Sequence, residues 1–193
     1  MRVLVVFAHP VETSFNAATH EEVLKGLKQA GHSVDDCDLY GEGFNPVLSR
    51  EERLNYHDEA ICRNPVQSYV DRLLAADALV LVHPVWNFGY PAILKGFFDR
   101  VFLPGVSFKL VDGKVRPSLH NIRKLGAVVT YGGSRWRAML VGDPPRKVVK
   151  RAVRAVIHPT ARTVYLPLYD MNRNTAATRE AFLEKVSATM SVF

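Results

Sequence analysis

Short apolar runs alternate with helical segments five times along this chain, and this alternation restricts the possible folds more than any other feature. Four of the runs are typical of strands buried on both faces, while the run at 33–39 is more polar and is expected near an edge. The runs span 3–7, 33–39, 78–82, 125–130 and 163–166, and the helical segments span 15–30, 66–76, 91–102, 144–156 and 175–190. The pattern predicts an α/β fold with a parallel sheet and helices on both faces.

For a doubly wound sheet of five strands, the expected order is 2-1-3-4-5. In this order the winding reverses between strands one and three, and ligands of such sheets bind there, beyond the carboxyl ends of the strands. Three loops should therefore surround one crevice: 8–16, 83–91 and 130–137.

Two segments interrupt the alternation. Residues 41–65 contain two glycines and two prolines around a short charged helix at 49–58, and we interpret them as an excursion on the surface. Residues 108–117 contain Asp112-Gly113 between short apolar runs, which predicts a hairpin. No repeat or linker divides the sequence, and its 193 residues fit one domain, so we expect residues 1–193 to form a single domain.

The first loop, 8–16, contains hydroxyl and amide side chains but no glycine, so it is neither a Walker loop nor a dinucleotide fingerprint. Thr13, Ser14 and Asn16 stand where the first helix begins, beside unpaired backbone N–H groups and the positive end of the helix dipole. This arrangement can bind a phosphate, to which His9 could donate a further hydrogen bond. An ordinary N-cap by Thr13 or Ser14 explains the same spacing.

The second loop, 83–91, places three aromatic residues between two prolines: Trp86, Phe88 and Tyr90. Loops lie on the surface, and an exposed aromatic cluster usually has a partner, of which a flat conjugated ring is the natural example. Backbone N–H groups of residues 86–88 can face the edge of such a ring. The alternative is that the aromatic residues pack locally against the helix that follows.

The third loop, 130–137, contains the glycine pair Gly132-Gly133. Without side chains, the backbone can approach a ligand closely, and successive N–H groups can form a nest for an anion. A plain turn from strand to helix explains the pair as well. The three loops together indicate a ligand site at one crevice more strongly than any of them alone.

One stretch of the chain accounts for the net charge of +6. Residues 135–162 contain eight Arg or Lys against one acid, Asp143, whereas the other 17 bases and 18 acids nearly cancel. A basic stretch of this kind is a solvated helix face, a site for a phosphate-bearing ligand, or a nucleic-acid surface. No nucleic-acid-binding module is recognisable, so we expect no nucleic acid.

Several classes of protein are excluded by simple counts. Two cysteines, Cys37 and Cys62, are too few and too far apart for a disulfide scaffold, a redox CxxC motif or a zinc site, so we expect reduced thiols and no metal. No apolar run approaches the roughly 20 residues of a membrane span. The first residues lack a cleavage site and are interpreted as a strand instead of a signal peptide, which predicts a cytoplasmic protein.

Four stretches of the sequence carry a resemblance to a known family. They are His9-Pro10-Val11-Glu12-Thr13-Ser14-Phe15-Asn16, Asp38-Leu39-Tyr40 with Phe44-Asn45-Pro46, Pro91-Ala92-Ile93-Leu94-Lys95-Gly96-Phe97-Phe98-Asp99-Arg100-Val101-Phe102, and Thr130-Tyr131-Gly132-Gly133. Over nearly its whole length the chain resembles the flavodoxin-like NAD(P)H dehydrogenase (quinone) family, which contains quinone reductases, modulator-of-drug-activity proteins and ancillary subunits of potassium efflux systems. The resemblance implies a flavodoxin-like α/β fold, doubly wound, with a five-stranded parallel sheet.

The resemblance implies a bound flavin and a role for each loop in binding it. The residues expected to hold the flavin phosphate are His9, Thr13, Ser14, Phe15 and Asn16. Those expected to border its ring are Pro84, Val85, Trp86, Asn87 and Phe88. Those expected at its pyrimidine edge are Thr130, Tyr131, Gly132 and Gly133. Arg179 is placed to reach an adenine diphosphate, which favours FAD over FMN.

The implied function is a flavin-dependent oxidoreductase that takes hydride from NADPH or NADH and passes two electrons to a quinone or a similar acceptor, with ping-pong kinetics. Tyr131, Gly132 and Gly133 are the candidate catalytic residues, because preorganised backbone donors stabilise the negative charge that develops on the ring. The residues after the glycine pair include no histidine, unlike those of mammalian-type quinone reductases, so Tyr131, Arg135 or solvent must handle the proton.

The resemblance also implies a homodimer in which the partner completes each site. The leading alternative is a regulatory or ancillary subunit of a membrane transport system, with the basic helix at 146–154 as a peripheral docking face. A one-electron shuttle is disfavoured, because shuttles of the flavodoxin type usually carry acidic surfaces.

Overall fold

A computed structural model describes residues 1–193, and its centre is a five-stranded parallel sheet. The sheet strands are β1 (Arg2–Phe7), β2 (Ser33–Asp38), β3 (Ala78–Val85), β6 (Lys124–Tyr131) and β7 (Arg162–Leu168), and β4 (Phe108–Val111) and β5 (Lys114–Pro117) form a separate antiparallel hairpin. The sheet order is β2-β1-β3-β6-β7. Counting the sheet strands alone, this is the predicted order 2-1-3-4-5, and the predicted hairpin is also present.

Helices connect the parallel strands. They are α1 (Phe15–Gln29), α2 (Arg50–Leu54), α3 (Gln67–Ala75), α4 (Ala92–Val101), α5 (Arg135–Leu140), α6 (Pro144–Lys147), α7 (Arg154–Val156) and α8 (Ala176–Met190). A π-helical segment, Val148–Val153, joins α6 to α7, so the predicted helix at 144–156 is continuous but not regular. None of the helices is both long enough and apolar enough to cross a membrane.

The sheet separates two apolar layers, because successive strand residues point to opposite faces. In β1, Leu4 and Val6 face the layer that α3, α4 and the π-helical segment cover, whereas Val3 and Val5 face the layer under α1 and α8. All four side chains are buried. This arrangement confirms the predicted doubly wound fold, in which a continuous apolar strand is buried on both faces.

The segment 41–65 runs over the surface, as its composition suggested, but a few of its residues tie it to the core. Phe44 and Cys62 are buried in the core, and Arg100 of α4 is bonded to Glu52 of α2 at 2.6 Å. Arg100 is buried and Glu52 is partly buried, and the guanidinium also donates to the backbone carbonyl of Asn45. Glu52 therefore anchors the segment to α4, while the other charged side chains of α2 are exposed. Both cysteines of the chain are buried and free.

The strand β3 continues three residues beyond its predicted end, through His83, Pro84 and Val85. Apolar periodicity missed this extension because a histidine and a proline usually end a buried strand. Proline is tolerated here because β1 ends at Phe7, opposite Val82, so Pro84 pairs with β6 but lies beyond the last residue of β1. The longer strand carries the second loop further out from the sheet edge.

Candidate functional site

Direct contacts show that the three predicted loops meet. The side-chain amide of Asn16, in the first turn of α1, donates to the hydroxyl of Thr130, near the end of β6, at 2.6 Å. The rings of His9 and Trp86 pack edge to face with their centroids 5.8 Å apart. The first loop therefore contacts both the second and the third loop, as the strand order predicted.

A cavity of about 340 Å³ opens between the second and third loops. Its lining residues come from the ends of β3 and β6, from α5 and from the loop after β7: Val85, Asn87, Phe88, Tyr131, Gly132, Gly133, Ser134, Arg137, Ala138 and Asn172. Phe88, one of the lining residues, is 43% exposed, so it borders the cavity without filling it. Trp86, in the same loop, is 41% exposed and does not line the cavity. The volume lies within the range of small-molecule sites.

The second loop forms a strained two-residue turn. Trp86 and Gly89 exchange two backbone hydrogen bonds, of 3.2 and 2.8 Å, around Asn87 and Phe88. Both central residues have positive φ, 48° and 59°, which is unusual for a residue as bulky as phenylalanine. Such strain is concentrated at ligand sites, where the surrounding structure enforces it. Nothing in the sequence indicates this turn, because positions of this kind normally carry glycine.

The prediction of a ring-binding aromatic cluster applies to only part of the second loop. Tyr90 turns inward: its ring lies 4.8 Å from that of His83, and its hydroxyl donates to the carbonyl of Pro145 at 2.6 Å. The alternative of local packing is therefore correct for Tyr90. Trp86 and Phe88 remain exposed, and Phe88 lines the cavity.

The glycine pair is not explained by the packing or the backbone of the protein. Neither Gly132 nor Gly133 has the positive φ that would require glycine. A Cβ at Gly132 would meet nothing closer than Asn172 at 3.8 Å, and one at Gly133 nothing closer than Arg137 at 4.0 Å. Both would be ordinary van der Waals contacts. The two glycines therefore leave open space in front of the cavity wall.

At the first loop, Ser14 is the N-cap of α1, and its hydroxyl accepts from the N–H of Ala17 at 3.1 Å. The N-cap interpretation is therefore correct for Ser14, while Thr13 is exposed and makes no cap. Phe15 packs on Phe182 of α8, with ring centroids 6.3 Å apart. Asn16 is buried, and its Oδ1 atom has no hydrogen-bond partner. An unpaired buried acceptor is rare, and its partner is then water, an ion or a ligand.

Tyr131 lines the cavity at the end of β6, but its hydroxyl is engaged elsewhere. It donates to Oδ1 of Asp143 at 2.8 Å and lies 2.5 Å from the hydroxyl of Tyr165. The side chain is almost fully buried, and burial raises the pKa of its phenol far above the usual value. This geometry favours a role in positioning the glycine loop over the proton-handling role that the sequence suggested.

Several lining residues were missed from the sequence. Asn172, from the 3-10 turn Met171–Arg173 after β7, is the most informative, because the N–H of Asp170 in the same loop donates to the carbonyl of Gly133 at 2.9 Å. The predicted order already placed the last strand beside the strand that carries the glycine pair. Its loop therefore had to reach the same edge of the sheet.

Arg179 does not line the cavity. It lies in the first turn of α8, is exposed, and donates to the carbonyl of Asn174 at 3.1 Å. Its predicted contact with an adenine diphosphate stays a prediction.

The residues present fit the FMN moiety that the two common flavins share. The unpaired Oδ1 of Asn16 offers an acceptor to a ligand hydroxyl, and the glycine pair leaves room for a ring edge. The exposed side chain of Phe88 borders the cavity. The helix α1 has 15 residues and no acid in its first turn, which favours a phosphate at its N-terminus.

Comparison with known proteins agrees with this geometry. The family model described as "Flavodoxin-like fold" matches residues 1–186. An uncharacterized NAD(P)H oxidoreductase of Haemophilus influenzae is 36% identical over 135 residues, which are 69% of this chain and 66% of the relative. An FMN-dependent NADH:quinone oxidoreductase of Coprothermobacter proteolyticus is 32% identical over 140 residues, 68% of each chain.

A solved structure is also similar. The NAD(P)H:quinone oxidoreductase from Methanothermobacter marburgensis superposes with a TM-score of 0.84 at 27% identity, covering 99% of this chain and 96% of that one. The chain spans about two thirds of the length of the two curated relatives, and about half the length of another that it matches. With the family match over nearly its whole length and the motifs at the three loops, the chain belongs to the flavodoxin-like NAD(P)H dehydrogenase (quinone) family.

Proposed function

We propose that this protein is a flavin-dependent NAD(P)H oxidoreductase that passes two electrons to a quinone or a similar acceptor. The observation that carries the proposal is the open cavity between the strained turn at Asn87-Phe88 and the glycine pair. Its position beyond the carboxyl ends of β3 and β6, next to the switch point between β1 and β3, supports the proposal. The names of the relatives support the choice of donor and acceptor.

The first loop would hold the phosphate end of the flavin. The free N–H groups at the start of α1 and the exposed Thr13 hydroxyl would donate to the phosphate oxygens. Ser14 would add less, because its hydroxyl already accepts from Ala17. His9 would be held beside the phosphate by Trp86 and by the N–H of Val11, which donates to its Nδ1 at 3.1 Å.

The second and third loops would hold the ring. When bound, the flavin would supply the capacity to accept a hydride from one substrate and give it to the next. Trp86 and Phe88 would border the ring, and the backbone N–H groups of Gly132 and Gly133 would donate to its pyrimidine edge. Because these donors are fixed before the reaction, each would stabilise developing negative charge by on the order of 3 kcal/mol. Donor and acceptor would use the same open side in turn, which gives ping-pong kinetics.

FMN and FAD differ only in what lies beyond this phosphate, so the choice between them depends on the residues near that end of the site. The sequence favoured FAD through Arg179, whereas the Coprothermobacter proteolyticus relative is named as FMN-dependent. Arg179 is exposed and bonded only to a backbone carbonyl, so it can turn toward an adenine diphosphate. Mass spectrometry of the cofactor released from the purified protein distinguishes the two.

Stopped-flow reduction tests the proposed activity. The flavin absorbance should bleach on mixing with NADPH or NADH under nitrogen and recover on adding a quinone, with parallel lines in double-reciprocal plots. Protein that binds neither FMN nor FAD after reconstitution would refute the proposal. Protein that binds flavin without accepting hydride would favour a binding or regulatory role.

We also propose a homodimer, as the resemblance implies. Phe98 and Phe102 of the α4 region are only partly buried and border an apolar cavity that also includes Val148 and Val156, which would suit an interface between two copies. Light scattering coupled to gel filtration measures the oligomeric state directly.

A further inference from the structure

A second cavity, of about 420 Å³, lies beside α5, and five of its eight lining residues are cations. Its basic residues are Arg135, Arg146, Lys147, Lys150 and Arg151, and we call it the basic cavity. The helix α5 contributes to both cavities: Arg137 and Ala138 line the one between the second and third loops, and Arg135 and Met139 line the basic one. The six residues of α5 span about 9 Å, so the two cavities are close neighbours.

The cations of the basic cavity have no protein counter-ions. Every ion pair in the structure involves other residues, so none of the five has a carboxylate within 4.0 Å. The one acid of the stretch 135–162, Asp143, lies at the inner wall, and its carboxylate accepts from the buried hydroxyl of Tyr131. The positive charge therefore remains available to a ligand.

A merely solvated helix face does not explain this arrangement well. Arg146 and Lys150, and likewise Lys147 and Arg151, are like charges four residues apart, which destabilises a helix. The same stretch contains the π-helical segment Val148–Val153, and π-turns within helices are frequent at functional sites. Arg146 is also held in place, with its guanidinium 5.4 Å from the centre of the Tyr165 ring. Fixed cations in a concavity are typical of a phosphate site.

We propose that the basic cavity binds the 2′-phosphate of NADPH and so makes the protein prefer NADPH to NADH. The inference rests on the proposed function, in which the nicotinamide end of the donor enters the neighbouring cavity. A dinucleotide is much longer than the ring it reduces, so its adenosine end must lie on an adjacent surface. The 2′-phosphate is the only group that distinguishes NADPH from NADH, and arginine side chains commonly accommodate it.

The test removes charge from the basic cavity without touching the ring site. The variant carries Lys147→Gln, Lys150→Gln and Arg151→Gln. The matched control, which also loses three positive charges, carries Lys28→Gln, Arg162→Gln and Lys185→Gln. All three control residues are exposed and unpaired; Lys28 and Arg162 lie at the end of the sheet opposite the loops, and Lys185 lies on α8.

The expected result is a selective loss of NADPH use. The KM for NADPH should rise about 30-fold in the variant, because charge-assisted contacts to one phosphate are removed, while the KM for NADH stays within about twofold. Neither KM should change in the control. An equal rise for both nucleotides would place the shared pyrophosphate in the basic cavity and overturn the proposal, as would no change at all.

A binding measurement separates this inference from the proposed function. Adenosine 2′,5′-bisphosphate should bind the unmodified flavin-loaded protein by calorimetry, ADP much more weakly, and the variant neither. These results do not depend on turnover, so a protein without oxidoreductase activity would still show them if the inference is correct. Loss of binding to anionic vesicles in the variant, with unchanged KM for NADPH, would instead assign the cations to a docking surface and overturn the proposal.

Discussion

The side-chain amide of Asn16 donates to the hydroxyl of Thr130 across 114 residues of sequence, at 2.6 Å. This single bond ties the start of α1, where a phosphate would bind, to the strand that carries the glycine pair. Both side chains are buried, and the other polar atom of the amide, Oδ1, has no partner in the protein. The two ends of the candidate flavin site are thus held at a fixed separation before any ligand binds.

We expect Asn16→Ala to weaken flavin binding by about tenfold and to lower the free energy of unfolding by about 1–3 kcal/mol. The first effect follows from the loss of an acceptor for a ligand hydroxyl, and the second from the loss of a buried hydrogen bond. Fluorescence titration with FMN and urea unfolding of the flavin-free protein measure the two effects. Thr19→Val serves as the control. It removes a buried hydroxyl that lies on the same helix and donates only to the carbonyl of Phe15. Equal loss of flavin affinity in both variants would contradict this role for Asn16.

We expect Gly132→Ala to leave the flavin-free protein as stable as the unmodified one and to reduce flavin affinity by at least about tenfold. A methyl group at this position has open space on the protein side and meets nothing closer than 3.8 Å, but it would project into the space that a ring edge needs. Thermal unfolding with and without added FMN measures both properties.

Gly96→Ala provides the opposite case for comparison. A Cβ at Gly96 would lie 2.3 Å from the carbonyl oxygen of Pro46, so the change must displace the backbone of the segment 41–65. It should therefore lower the melting temperature of the flavin-free protein. If Gly132→Ala also lowers it by a similar amount, the glycine pair serves the fold and not a ligand.

We expect Tyr131→Phe to lower stability by about 1–3 kcal/mol and to keep turnover within a few-fold of the original. The change leaves the carboxylate of Asp143 without its donor in a buried position, which is costly, but it keeps the aromatic ring of Tyr131 at the cavity. Urea unfolding and steady-state kinetics of the flavin-loaded variant test the two parts separately. A loss of turnover beyond about 100-fold at full flavin content would return the hydroxyl to a role in proton transfer.

The inward orientation of Tyr131 was predictable, whereas its partners were not. Leu125, Ala127, Val129 and Tyr131 alternate along β6 and share the face that packs under α3 and α4, so a period of two already directs the tyrosine into the core. Asp143 reaches the hydroxyl only because the short helix α5 is followed by a left-handed turn, in which Asp143 itself has a φ of 46°. Six residues of helix followed by a left-handed turn leave no periodic signal in the sequence.

The sheet order was predictable for a related reason, because buried parallel strands are continuous apolar runs. The anchoring of the segment 41–65 was not, since Glu52 and Arg100 look like ordinary surface charges until the fold brings them to 2.6 Å. At the candidate site, the three loops meet as the sequence predicted, but the strain at Asn87 and Phe88 depends on tertiary contacts that local propensities do not contain.

The buried His83 should give the protein a marked loss of stability in mild acid. Its Nδ1–H donates to the carbonyl of Pro84 at 2.9 Å, its Nε2 has no partner, and burial lowers its pKa to about 4. The pKa of a histidine in the unfolded chain is about 6.5. Between pH 6.5 and pH 4 only the unfolded chain binds the proton, so the free energy of unfolding falls as the pH falls. From pH 6.5 to pH 5 this one group should remove about 2 kcal/mol.

Urea unfolding at pH 7 and pH 5 measures this loss in the original chain, in His83→Gln and in His120→Gln. The glutamine at position 83 destabilises the fold at both pH values but cannot titrate, so the variant should lose about 2 kcal/mol less than the original between them. His120 is exposed, and its replacement should leave the pH dependence as it was. If the original chain and His83→Gln lose the same amount, His83 does not stay neutral in the folded protein and the acid sensitivity has another source.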